Sequence, residues 1–175
     1  HLATAPIFRQ PAPEAESLGL WRRIVRRASL PERFLLLPST GAMGTYKNPE
    51  LVASALNSPR LSNLSLVISG IAAEQRVSEL KRSFPYLHGR LHAAGFSDLE
   101  LALAYRYALA VVIPSRIEGF GLPAIEVMAA GGLCLVADAR GLREAGGEAA
   151  LRFSARQPGH LSELLKLAAD PLTRK

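Results

Sequence analysis

The chain has 175 residues, 49% of them hydrophobic and 21% charged, with a formal net charge of +6. That is about one domain's length, with enough apolar material for a sizeable core, which argues against a disordered chain. The basic balance suits an anionic partner. The chain has no zinc-finger spacing, helix-turn-helix pattern or aromatic-and-basic RNA motif, so nucleic acid is disfavoured. The single cysteine, Cys134, rules out an internal disulfide framework or a thiolate metal cluster and reads as a small core residue within the apolar run 133–136. No apolar stretch approaches the roughly 20 residues needed to span a bilayer. No signal peptide is visible, and a start at His1 rather than Met leads us to expect further sequence upstream.

Residues 1–15 carry Pro6, Pro11 and Pro13 and read as an extended lead-in to a domain over 16–175. In 17–28, Leu20, Ile24 and Val25 alternate with Arg22, Arg23, Arg26 and Arg27, which predicts an amphipathic helix with a basic face. That face reads as a solvated surface or as a membrane or phosphate patch. The apolar run 34–37 predicts a buried strand, 38–44 a loop, and 49–56 a helix ended by Ser58-Pro59. A second strand follows over 64–69, then a helix over 71–84 with Ile71, Val77, Leu80 and Phe84 as its apolar stripe. A short strand is expected near 90–93, and a helix over 98–107 with Ser97 as N-cap and Leu99, Leu103 and Tyr107 inward. Residues 110–113 predict a strand, 121–130 a helix stopped by Gly131-Gly132, and 133–137 another strand. A turn or short helix near 142–146, a strand near 151–153 and a helix over 161–169 complete the chain. Apolar strands alternating with helices predict an α/β fold, a doubly wound, mainly parallel sheet. Ligands of such sheets sit beyond the strand C-termini, so the loops after Leu37 and Ile113 are the places to search.

The second of these loops carries the densest chemistry. Gly119 and Gly121 allow close backbone approach, and a helix opens just after them, aiming free amides and its positive end at the crevice. Such an end suits a phosphate. Glu118 and Glu126 flank it, and carboxylates accept hydrogen bonds from hydroxyls. Phosphate donors between two hydroxyl acceptors fit a nucleotide diphosphate sugar. A plain strand-turn-helix with a glutamate near the dipole is the structural alternative. His88, His92 and His160 lack metal-ligand spacing.

Pro114-Ser115, Glu118-Gly119-Phe120-Gly121-Leu122-Pro123, Glu126 and Met128-Ala129-Ala130-Gly131 resemble the signature of glycosyltransferase family 4, including two glutamates separated by seven residues. The resemblance runs from Phe34 onward. Residues 34–48, ending in Lys47-Asn48, are similar to the family's first strand and phosphate loop, 66–70 to its second strand, 95–105 to its Asp-Leu helix and 137–150 to its closing segment. It implies the Rossmann-like C-terminal half of a retaining GT-B enzyme, a donor-binding domain that transfers sugar from a nucleotide diphosphate sugar to a saccharide or glycolipid acceptor. It assigns catalytic roles to Glu118 and Lys47 and donor-binding roles to Gly119, Phe120, Gly121, Leu122, Glu126, Gly41 and Arg116. Glu118 would hold the sugar hydroxyls, Lys47 the diphosphate and Glu126 the ribose diol. Neither metal nor other cofactor is expected, since no Asp-x-Asp pair is present and Lys47 with backbone amides would meet the leaving-group charge. The implied protein is cytoplasmic, with peripheral contact at the inner membrane face, and takes its acceptor on an N-terminal domain outside this chain. The alternative is a stand-alone nucleotide-binding module without catalysis of its own. The sequence departs from the family in lacking an arginine over 41–46, which leaves Arg116 or the other domain to supply it, and in having Gly132-Leu133-Cys134 where Gly-x-Pro-Val is usual.

Overall fold

Runs of Leu, Ile and Val short enough to be buried on both faces become the strands. The computed structural model describes residues 8, 14–39 and 45–170. Among these, β1 (Phe34–Ser39), β2 (Ser65–Gly70), β3 (Leu91–Ala94), β4 (Ala110–Ile113), β5 (Cys134–Ala137) and β6 (Leu151–Phe153) form one sheet of order β3-β2-β1-β4-β5-β6. Every pairing is parallel; Leu35 stands opposite both Leu66 and Ala110, and Val111 opposite Cys134. The helices are α1 (Glu14–Arg27), α2 (Pro49–Ala55), α3 (Ala73–Ser83), α4 (Asp98–Tyr107), α5 (Leu122–Ala129), α6 (Arg140–Gly146) and α7 (Pro158–Ala169), with 3₁₀ turns at Thr45–Lys47, Pro59–Leu61 and Pro85–Leu87. This is the doubly wound α/β fold expected from the alternation. β4 and β5 are buried along their whole length, and Cys134 is in the core, its thiol pKa raised by burial to about 12.

The sheet reverses its winding direction between β1 and β4. In a doubly wound sheet the ligand crevice lies at such a reversal, here beyond Ser39 and Ile113. α1 covers the far side of β1: Trp21 stacks on Tyr107 with centroids 5.7 Å apart and tilts against Phe34, while Arg27 pairs with Glu100 at 2.6 Å. Phe8 is buried against Tyr105, a core role that the proline-rich composition around it did not signal.

Several boundaries differ from the sequence reading. α1 begins at Glu14, with Glu14 and Glu16 in its first turn, where acidic side chains complement the dipole. α3 begins only at Ala73, because Ala72 is left-handed at φ 61°, and Ile71 is 74% exposed rather than part of the apolar stripe. On α4 the buried face is Ala102–Tyr105, and Leu99 faces solvent. α6 is a full helical element, and α7 starts at Pro158, where a first-turn proline costs no hydrogen bond.

Ser97 caps α4 as expected. Its Oγ accepts from the Glu100 amide at 3.5 Å, and its own amide donates to the Glu100 carboxylate at 2.9 Å, a complete capping box. Ser97→Ala is expected to cost about 1 kcal/mol in a urea melt; an unchanged midpoint would mean that the box adds nothing to the packing of α4.

Candidate functional site

The loops after β1 and β4 meet across the crevice. The 3₁₀ turn Thr45–Lys47 brings Lys47 over the β4 loop, where its Nζ donates to Glu118 Oε1 at 2.6 Å. The Ser115 hydroxyl donates to the same oxygen at 2.8 Å. Both charged side chains are 14% exposed, so the pair is partly withdrawn from water. Arg116 joins from the same loop: its amide donates to the Tyr46 carbonyl at 2.8 Å and its guanidinium to Asn48 Oδ1 at 3.3 Å.

Asn48 holds this arrangement together and is the residue that sequence reasoning missed. It is buried and left-handed, at φ 55°, a conformation that asparagine tolerates better than most side chains. Its Nδ2 donates to the carbonyls of Pro114 at 3.2 Å and Ala155 at 3.0 Å. One amide thus joins the loops that follow β1, β4 and β6. The signal available in sequence was its position just before Pro49 at a helix start.

On the β4 loop, Gly119 and Phe120 are exposed, Gly121 is buried and Leu122 is exposed. Gly121 is left-handed at φ 74° and precedes α5 as its N-cap. A side chain there would also press on Ala145 and Leu142 of α6, both 3.0 Å from an added Cβ. Its glycine requirement therefore comes from the turn and from packing on α6, whereas an added Cβ at Gly119 meets nothing within 4 Å. Gly141 lets the start of α6 lie on the backbone of Glu118 and Gly119. Gly41 lies outside the described residues. Glu144 is exposed and faces Arg140 at 3.8 Å. His92 is on β3, with its Nε2 buried and unpartnered among the described residues; burial first, then the Lys81 cation, hold its pKa down.

Glu126, one turn into α5, is half-buried against α4. Tyr105, fully buried, donates its hydroxyl to Glu126 Oε2 at 3.4 Å. Burial raises the Glu126 pKa, the Tyr105 bond opposes the shift, and the nearby Asp98 carboxylate adds to it. The folded protein thus holds the Glu126 proton more tightly than the unfolded chain does, so stability falls as pH rises through the window just above the ordinary glutamate value. Glu126→Gln removes that fall. Urea midpoints from about pH 4 to pH 7 are expected to decline less steeply in the variant; identical slopes would mean that Glu126 titrates as it does when unfolded. Beside α4, an apolar cleft of about 400 Å³ opens beyond β1 and β2, lined by Pro38, Gly70, Ile71, Phe96 and Leu101 among others. Among the described residues, no group of His, Cys, Asp and Glu could hold a metal ion, and no helix is long and apolar enough to cross a membrane.

A parallel doubly wound sheet with a cation, a carboxylate and a helix start converging at its switch point is the Rossmann-like architecture of one half of a GT-B glycosyltransferase. Residues 22–169 match the family model of the glycosyl transferases group 1, and the chain belongs to that family. Among solved structures, HepE from Anabaena in complex with UDP and glucose is similar at a TM-score of 0.72 and 15% identity, over 94% of this chain and 45% of that one. A glycosyltransferase from Rickettsia africae ESF-5 gives a TM-score of 0.72 at 17% identity, over 93% of this chain and 44% of that one. Sucrose-phosphate synthase from Thermosynechococcus elongatus gives 0.71 at 24% identity, over 97% of this chain and 43% of that one. The chain spans less than half the length of each of these structures. No curated protein sequence matches it.

Proposed function

We propose that the chain is the donor-binding part of a hexosyltransferase that moves a sugar from a nucleotide diphosphate sugar, with retention at the anomeric carbon, to a saccharide or lipid-linked acceptor. The observation that carries this reading is the Lys47–Glu118 pair closing the switch point, with Arg116 held alongside by Asn48. A diphosphate entering the crevice takes over Lys47 and draws on Arg116 and the amides at the start of α5. Glu118, released from the lysine, accepts from hydroxyls of the transferred sugar. Glu126 accepts from the ribose diol, and the apolar cleft beside α4 seats the base. In this reading the charge of the departing diphosphate is met by these cations and amides, with no metal ion.

Ile117 and Phe120 stand exposed on the β4 loop and Leu122 at the start of α5, which leaves large apolar side chains for the sugar or for a facing domain. The reading assigns acceptor binding to that other domain, so the chain alone transfers no sugar. It also assigns the protein to the cytoplasm, with the exposed Arg22, Arg23 and Arg26 of α1 as its contact with acidic lipid at the inner membrane face.

Calorimetric titration with UDP, GDP and ADP and their sugars tests the site. Saturable binding of one nucleotide is expected, weakened about tenfold or more in both Lys47→Ala and Glu126→Ala. Parent-like affinity in both variants, or no binding of any of them, would overturn the reading.

A further inference from the structure

Because all six strands are parallel, β5 and β6 end on the same edge of the sheet as β1 and β4. Beyond those two ends lies a second cleft, of about 640 Å³, lined by Asp138, Arg143, Arg152, Arg156 and His160 around the 153–155 backbone. Three guanidinium groups face one carboxylate. That carboxylate, Asp138, is engaged in a two-pronged pair with Arg143, through Nε to Oδ1 and through Nη2 to Oδ2 at 2.9 Å. Arg152 and Arg156 are exposed and form no ion pair among the described residues, so the described lining carries a surplus of positive charge.

The cleft is also ordered. The Ser154 amide donates to His160 Nδ1 at 3.2 Å. The Ser154 hydroxyl accepts from the Arg156 amide at 3.3 Å. α7 opens at this point with no acidic residue in its first turn and no side-chain cap, so its positive end adds to the arginines. Asn48 reaches the Ala155 carbonyl in the cleft wall, so the cleft adjoins the switch point. Two strand spacings, about 10 Å, separate the middles of the two sites.

We infer that this cleft is a second oxyanion site, which receives the phosphate or diphosphate group of an acceptor whose sugar is held by the other domain, while the switch point holds the donor. This inference rests on the donor reading for the word acceptor, but the anion site itself does not. Guanidinium forks match phosphate oxygens in pairs. The spacing of about 10 Å suits an acceptor whose anionic group lies a sugar's length or so from the hydroxyl that attacks.

The test uses the full chain, first saturated with UDP and then titrated with inorganic pyrophosphate and with a hexose phosphate. A second saturable event is expected, weakened about tenfold or more in Arg152→Ser/Arg156→Ser, with UDP affinity unchanged. Both arginines are exposed, so the double variant leaves the core intact. Phosphatidylcholine vesicles carrying phosphatidic acid form a parallel arm. Binding of hexose phosphate alone assigns a soluble phosphorylated acceptor, and vesicle binding lost in the double variant assigns a lipid-linked one. No second event, a second event indifferent to the double variant, or vesicle binding that survives it without any soluble binding would overturn the inference. If none of UDP, GDP and ADP binds, the donor reading fails separately; pyrophosphate binding lost in the double variant but kept in Lys47→Ala would still uphold the anion site.

Discussion

Alanine at position 141 is expected to lower both nucleotide affinity and thermal stability. An added Cβ there would lie 2.3 Å from the Glu118 carbonyl oxygen and 2.9 Å from that of Gly119. Both are backbone atoms and cannot swing aside as a side-chain end would. Either the start of α6 lifts off the β4 loop, or the loop moves and takes the Glu118 carboxylate away from Lys47. Overpacking of this kind costs about 1–3 kcal/mol, a shift of several degrees in melting temperature for a chain of this size. Displacement of the loop is expected to weaken UDP binding by about tenfold. Gly119→Ala is the control in the same loop: its Cβ meets open space, so the melting temperature should hold. Loss of nucleotide binding in Gly119→Ala at unchanged stability would locate the ligand against that residue. A Gly141→Ala protein that melts and binds like the parent would show that α6 does not brace the site.

The second large effect comes with two signs. Glu118 is the partner of Lys47, so a diphosphate bound as proposed would have to displace a carboxylate to reach the amine. Lys47→Ala removes a charge-assisted contact and is expected to weaken UDP binding by about tenfold to a hundredfold. Glu118→Gln does the opposite for UDP. It removes the competing charge and the repulsion of the incoming diphosphate, so UDP should bind several times more tightly, by about 1 kcal/mol. The corresponding UDP-sugar should lose that advantage in Glu118→Gln, because a carboxylate is the stronger acceptor for sugar hydroxyls. Calorimetry on the two variants with UDP and its sugars reads all of these signs. Weaker UDP binding in Glu118→Gln would mean that the carboxylate supports the nucleotide directly, and the assignment of Glu118 to the sugar would fall.

Much of the frame was legible from local pattern. Apolar runs such as 34–37 and 110–113 have few alternatives to a buried strand, and Gly131-Gly132 stops α5 as read: Gly131 is left-handed at φ 79°, and the Gly132 amide returns to the Val127 carbonyl. Lys47 and Glu118, 71 positions apart in the chain, were paired in function only through the family resemblance; their contact depends on the reversal of winding at the switch point, which local spacing does not encode. Asn48 was invisible as a clamp because its partners, Pro114 and Ala155, lie on two distant loops. Ile71 and Leu99 were misread as core because periodicity counts apolar residues without knowing where a helix starts or which face is covered; a left-handed Ala72 and the burial of Ala102–Tyr105 decided those cases. Gly132 shows the same limit. Its missing side chain makes room for the Tyr105 carbonyl, which would lie 2.3 Å from an added Cβ, a contact between elements far apart in the sequence.

The strand order has a consequence for how the protein opens. β1, β2 and β3 come from one continuous stretch, and β4, β5 and β6 from the next. Where the two trios pair, Leu35 faces Ala110 and Leu36 faces Val111. Such a seam needs the longest loop closure in the sheet, so it is expected to form late in folding. The Lys47–Glu118 pair and the Asn48 bonds cross that seam at its C-terminal end. A ligand bound as proposed would contact both trios and would have to leave, or lose part of its partners, before they separate. Occupancy is then a lock on sub-global unfolding: amide exchange in β1 and β4 slows with ligand concentration as mass action requires, while exchange at the outer strands β3 and β6 responds less.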